Sequence, residues 1–183
     1  MKLEHNKLSL KELNRISLSE YKKIEKLPIV IVLDNIRSMS NIGSIFRTSD
    51  AFKIEAIHLC GITSKPPHRE IRKTALGATE SVAWEYFSST IDSIIELKSR
   101  GFQIISIEQV QNSTMLHDYS PIKDQKIALV MGNEVNGVDQ EVINSSDICL
   151  EIPQYGTKHS LNVAISAGLT IWHVFHTIYL KDK

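Results

Sequence analysis

Ile152-Pro-Gln-Tyr-Gly-Thr-Lys-His-Ser-Leu-Asn-Val-Ala-Ile-Ser-Ala167 runs from the end of an apolar strand, through a polar loop, into a helix of small residues. Its loop carries Gly156, Ser160 and Asn162, which bring backbone and short polar side chains close to a ligand. Two polar loops upstream have the same setting. Ile29-Val-Ile-Val-Leu33 is a continuous β-branched run, as in a strand buried on both faces. It opens into the turn-rich stretch 34–41 and a helical pattern over 42–52. Lys126-Ile-Ala-Leu-Val-Met131 is a second such strand, ending in Gly132-Asn-Glu-Val-Asn-Gly137. Further strand patterns at 56–60, 84–87, 102–107 and 148–152 alternate with helical ones at 90–100 and 139–144, and a last helix spans about 160–179. This alternation predicts an α/β fold with a mostly parallel sheet flanked by helices. Ligands bind such sheets off the carboxyl ends of the strands, so the loops 34–47, 132–137 and 153–162 should converge on one site.

Two segments fall outside that alternation. Residues 1–27 read as a helical preface made basic by seven Lys/Arg, with Ser19 able to cap a turn and Pro28 stopping it. The chain then divides into this basic extension, 1–27, and one domain, 28–183. Between 62 and 82 the pattern breaks. Ser64-Lys-Pro-Pro-His-Arg-Glu-Ile-Arg-Lys73 gathers Lys65, His68, Arg69, Arg72 and Lys73 around two prolines, and small polar residues follow. Long irregular stretches inside compact domains are commonly functional, so an ordered, substrate-contacting loop is expected here.

Bulk properties narrow the class. At 183 residues, 42% hydrophobic and 23% charged, the chain suits one well-buried globular core. No uninterrupted apolar run of the roughly 20 residues that span a membrane is evident, and Met1-Lys-Leu-Glu-His-Asn has no apolar signal region. Cys60 and Cys149 each lie in an apolar run and read as small core residues. A cytoplasmic protein without membrane contact is expected. Net charge is zero, but residues 1–100 hold 16 Lys/Arg against 12 Asp/Glu while 101–183 hold 5 against 9. A basic half supplies a local footprint for nucleic acid.

Several chemistries lack their residues. No G-x-G-x-x-G follows the first strand and no G-x-x-x-x-G-K-[ST] occurs, so the common phosphate cradles are missing. Seven histidines and two cysteines show no ligand-pair spacing, so no metal is expected. His159 and Ser160 are sequence neighbours without a nucleophile elbow. Arg47 is more informative. It follows Asn41 by six and Gly43 by four, and its fork of donors suits a phosphate or carboxylate; an ion pair with Asp50 or Glu134 is the alternative.

Asn41-Ile-Gly-Ser-Ile-Phe-Arg47, Gly132-Asn-Glu-Val-Asn-Gly137 and Pro153-Gln-Tyr-Gly-Thr-Lys-His-Ser-Leu-Asn-Val-Ala164 together resemble, in order, the three motifs of the SpoU (TrmH) branch of SPOUT RNA 2′-O-ribose methyltransferases. The resemblance covers about residues 29–178. It implies a C-terminal deep trefoil knot, an exception to the rule against knots. It also implies a homodimer and a bound S-adenosylmethionine. On this match Gly132, Ile152, Gly156 and Leu161, with Glu108 and Gln109 nearby, would hold the cofactor. Asn41, Arg47, Glu134, Ser160 and Asn162 would be catalytic, and the family assigns proton removal to the arginine matching Arg47. An arginine pKa above about 12 favours a different role, in which Arg47 fixes a phosphate and polarises the hydroxyl. Methyl transfer to a ribose oxygen is mostly positioning. Val135 stands where many relatives carry a small residue. With only about 27 residues ahead of the domain, RNA choice would fall to that segment, to the dimer surface and to Lys65, His68, Arg69, Arg72 and Lys73, with Arg47 beside them. The small size favours tRNA over rRNA. A catalytically silent RNA-binding dimer of the same fold is the alternative, and a small-molecule transferase would leave the basic segments without a use.

Overall fold

The computed structural model describes residues 5–9 and 11–180. Seven parallel strands form one sheet, with helices on both faces. In chain order the elements are α1 (Leu18–Tyr21), β1 (Leu27–Asp34), α2 (Met39–Ala51), β2 (Ile54–Cys60), α3 (Arg69–Ala75), α4 (Ala78–Ser81), β3 (Ala83–Phe87) and α5 (Thr90–Ser99). There follow β4 (Gln103–Ile107), β5 (Thr114–Met115), a 3-10 turn at Leu116–Asp118, β6 (Ile127–Met131), α6 (Gln140–Ser145), β7 (Ile148–Glu151) and α7 (Val163–Phe175), which continues as a π-helical turn through Leu180. The strand order is β3-β2-β1-β6-β4-β7-β5.

The central position of β1 follows from its composition. Alternate side chains enter two separate cores: Ile29, Ile31 and Leu33 pack under α2, α3 and α7, while Val30 and Val32 pack under α5 and α6. A strand buried on both faces must be apolar at every position, which is what the β-branched run provides. On the first face α2 lies unusually close to α3. A methyl group at Gly43 would collide with the Ile71 carbonyl and the Thr74 hydroxyl, so only glycine allows this approach. Thr74 Oγ1 donates to Ser40 O at 3.0 Å across the same contact.

Three expectations need correction. Within the described part of the N-terminal stretch, only Leu18–Tyr21 is α-helical, and its cap is Ser17 rather than Ser19. Leu13, Ile16 and Leu18 stay exposed there and Tyr21 alone is buried, so little apolar contact is available to stabilise a longer helix. The 62–82 stretch is irregular only as far as residue 68 and then holds α3 and α4; His68 caps α3, accepting from Glu70 N at 3.2 Å. The last helix begins at Val163 instead of Ser160, because Asn162 is its cap. Val163–Leu180, though interrupted by polar residues, has a mean hydropathy of 1.4 and is long enough to cross a membrane. A core helix meets the same measure, and Val163, Ala167, Ile171 and Val174 do pack in the core. Of the cysteines, Cys60 is buried and Cys149 half-buried, and both are free.

Candidate active site

Each polar loop at a strand end is held by its own hydrogen bonds before it meets the others. The 132–137 loop closes on itself, Asn133 and Gly137 exchanging two backbone hydrogen bonds of 2.9 Å. Asn133 Oδ1 accepts from Val135 N and Asn136 N, and its Nδ2 donates to Asn35 O at 2.6 Å. The closure is so tight that a side chain at Gly132 would strike the backbone of Gly137 and Val138. Beneath it, buried Asp34 accepts from Thr90 Oγ1 at 2.6 Å and from Asp139 N at 2.9 Å. Glu108, at the end of β4, accepts from Val138 N and Gln109 N.

Glu134 joins this loop to the start of α2. Its two oxygens accept from Arg37 N at 2.9 Å, Ser38 N at 3.0 Å and Asn41 Nδ2 at 3.1 Å. Burial pushes the Glu134 carboxyl up, but these donors outweigh it and hold the group below its ordinary value. The line continues: Asn41 Oδ1 accepts from Asn162 Nδ2 at 3.1 Å, and Asn162 Oδ1 caps α7 by accepting from Ala164 N at 2.9 Å. Asn41 thereby links two loops to the start of α2, Glu134 lying 93 residues from it in the chain and Asn162 lying 121. Gln109 Nε2 adds a tie to His159 O at 2.9 Å.

These loops enclose a cleft of about 530 Å³. Glu108, Gln109, Gly132, Glu134, Ile152, Ser160, Leu161 and Asn162 all line it. Asn41 does not, but is bonded to two residues that do. Gly156 lies off the lining, and a methyl there would meet open space. Arg47 is exposed and also off the lining. Among the described residues it makes no ion pair: Glu134 is occupied by the α2 start, and Asp50 takes the Ser81 hydroxyl. Lys65, His68, Arg69, Arg72 and Lys73 sit together in the α3 segment, all exposed and outside the cleft. Sequence reasoning missed Asn133, which organises the central loop, and the lining residues Gln154, His159 and Ser166. Asn133 lay inside a quoted motif, and its double role as acceptor and donor was the available signal.

One group of metal-ligand type converges elsewhere. His58, Glu85 and Glu96 have potential ligand atoms within 4.8 Å of one another on the α5 face. Arg100 already pairs with Glu96 at 3.3 Å and with Glu55 at 2.6 Å, placing a fixed cation there. His58 Nδ1 pairs with Ser93 Oγ at 2.8 Å. The cluster is read as an ion-paired edge of the core.

A parallel α/β sheet whose strand-end loops close over a cleft is the frame of a ligand-binding α/β enzyme. The sequence narrows this further: residues 28–172 match the SpoU rRNA methylase family, and the chain belongs to it. It is 31% identical over 159 residues to a TrmH-family tRNA/rRNA methyltransferase of Staphylococcus aureus, covering 86% of this chain and 62% of that protein. It is 30% identical over 171 residues to the 23S rRNA (guanosine-2′-O-)-methyltransferase RlmB of Neisseria meningitidis, covering 93% and 67%. The chain thus spans about two thirds of the length of these relatives. An S-adenosylmethionine-bound rRNA methyltransferase from Sinorhizobium meliloti superposes with a TM-score of 0.75 at 27% identity, covering 84% of this chain and 58% of that one.

Proposed function

We propose that this chain transfers the methyl group of S-adenosylmethionine to a ribose 2′-hydroxyl of RNA, with tRNA favoured over rRNA. The observation that carries this reading is the line Glu134–Asn41–Asn162, which joins all three family motifs at one cleft. The cleft fits the cofactor. Its volume falls in the range of small-molecule sites, roughly 300–1,000 Å³. Ile107, Ile152 and Leu161 offer an apolar surface for a purine, and the Glu108 and Glu134 carboxylates favour a cation. When bound, the sulfonium supplies an electrophilic methyl; the ribose oxygen forms the new bond, the sulfur keeps the electron pair as a thioether, and the hydroxyl proton leaves to phosphate or water. The chain's own residues position the reactants. Glu134 holds Asn41, Asn41 and Asn162 fix one another, and Ser160 offers its hydroxyl beside them.

Arg47 completes the site from a second copy. Six residues beyond Asn41, it lies about 9 Å further along α2 and about 240° around it, which removes it from its own cleft. Ile165, Leu169 and Trp172 form a stripe on α7 that is 56%, 43% and 48% exposed. Trp172 packs edge-on against Phe52, just past the end of α2, with ring centroids 5.8 Å apart. The stripe and the neighbouring α2 surface are the homodimer face, and from it Arg47 clamps the phosphate next to the target ribose in the partner's cleft. A knot would form where 152–162 meets the segment after β4, two stretches that Gln109 Nε2 joins at His159 O. The family match starting at residue 28 supports a domain over 28–183 preceded by a basic extension.

The test is to incubate the protein and labelled S-adenosylmethionine with total RNA from cells lacking it, then map 2′-O-methyl groups. One ribose gaining a methyl is the expected outcome; no transfer to any RNA overturns the reading.

A further inference from the structure

The stretch from Gly61 to Phe87 forms a lobe at the β3 edge whose two ends are fastened together. Gly61 N donates to Phe87 O at 3.0 Å, and Tyr86 Oη donates to Gly61 O at 3.0 Å. The lobe is seated on α2 by the close contact at Gly43 and by Thr74 Oγ1 to Ser40 O. Its last element, β3, is the sheet's edge strand, and four of its five residues are exposed.

Strand alternation places Trp84 and Tyr86 on one face of β3. They pair in register with Ile57 and Leu59, whose side chains enter the core under α2 and α3. Both aromatics therefore lie on the α3 side of the sheet, yet they are 36% and 39% exposed. A packed indole usually finds a partner for its N–H. Trp84 has neither a hydrogen bond nor an aromatic neighbour among the described residues. Tyr86 is held in place by its hydroxyl bond, and Lys65 Nζ stands 4.0 Å over its ring. Arg69, Arg72 and Lys73 follow on exposed α3, opposed within that helix by Glu70 alone.

An open indole on the strand face that also carries Tyr86 and its Lys65 cation suits one kind of ligand. Single-stranded nucleic acid places bases on aromatic faces and phosphates on Lys and Arg. A duplex keeps its bases stacked inside and cannot use the ring. We propose that the 61–87 lobe is a platform for unpaired RNA nucleotides, with a base stacking on Trp84 and the backbone held by Lys65, Arg69, Arg72 and Lys73. The substrate class is then a loop or other unpaired segment. This rests on the RNA methyltransferase reading above.

The experiment measures binding of a labelled 12-nucleotide single strand and of the same sequence as a duplex. The full chain, Trp84→Ala and Trp84→Phe are compared, with methyl transfer to total RNA followed in parallel. Stacking on one ring corresponds to about a 10-fold change in affinity, within roughly 5- to 150-fold. Trp84→Ala is expected to weaken single-strand binding by that factor and leave duplex binding unchanged; Trp84→Phe is expected to stay near the parent. Equal weakening for both RNAs, or none for either, overturns the platform. A shift of Trp84→Ala to a smaller assembly in sedimentation also overturns it, by assigning this face to a protein contact. If the parent chain methylates RNA while Trp84→Ala binds and methylates as well as it does, only the platform falls. If the parent methylates no RNA, the functional reading falls first.

Discussion

Asn162 performs two separable tasks, and two substitutions divide them. Its Oδ1 caps α7 through Ala164 N at 2.9 Å and Ile165 N at 3.4 Å, while its Nδ2 donates to Asn41 at 3.1 Å. Asn162→Ala removes both. Loss of a polar N-cap costs about 1 kcal/mol, which in a chain of this size lowers Tm by about 2–4 °C. Asn41 also loses its donor, and turnover should fall by at least about tenfold, the effect of about 1.4 kcal/mol in the barrier. Asn162→Asp keeps the capping oxygen and adds a negative charge at a helix N-terminus, worth about 0.3–1 kcal/mol in favour of folding. It lacks the N–H pair for Asn41 and brings a second carboxylate towards Glu134. Its Tm should therefore match or exceed the parent while its turnover falls as far as that of Asn162→Ala. Scanning calorimetry and labelled-methyl transfer measure the two quantities on the same samples. If Asn162→Asp restored turnover together with Tm, the line through Asn41 would have no part in catalysis. If Asn162→Ala left Tm unchanged, the capping argument would be wrong.

Other substitutions isolate other parts of the site. Arg47→Lys keeps the charge but loses the fork; turnover should drop by about 10²-fold or more with cofactor affinity by calorimetry unchanged, whereas near-normal turnover would refute both the clamp and the base. Gly132→Ala forces a methyl into the Gly137–Val138 backbone, and overpacking of this kind costs about 1–3 kcal/mol; Tm and cofactor affinity should fall together. Burial holds the His58 imidazole down to about 4, against an ordinary 6.5. The unfolded chain thus binds a proton between those values that the folded chain does not. Stability is full above pH 6.5 and should fall as pH drops towards 4, by up to about 3 kcal/mol; urea titrations at pH 7 and 4.5 read the slope, which His58→Gln should flatten.

The centre of the fold was open to reading from composition because burial leaves β1 and β6 no choice but apolar residues. Position is harder to read than class. The sequence pattern puts the start of the last helix near Ser160, and only the fold shows that Asn162 is its cap. In α3 the cap is a histidine behind two prolines, and the helix ends at Leu76 with φ of 49°; neither end carries the usual cap signals. Spacing put Arg47 near a glycine opening without saying which side of α2 it occupies. The glycine instead serves the contact with α3. Gly156 has open space where a side chain would stand and lies off the cleft lining, so no steric demand of the fold requires a glycine there.

The Glu134 carboxylate has a consequence for regulation and for the order of events. By accepting from Arg37 N, Ser38 N and Asn41 at once, it makes the 132–137 loop and the first turn of α2 a single mechanical piece. A ligand that settles that loop also settles the helix from which Asn41 and Arg47 project. Coupling of this sort is reciprocal: a cofactor that tightens RNA binding by some factor must itself be tightened by RNA by the same factor. In a dimer whose second copy supplies Arg47, one occupied cleft would sharpen the substrate grip of its neighbour, so the two sites need not behave as independent halves.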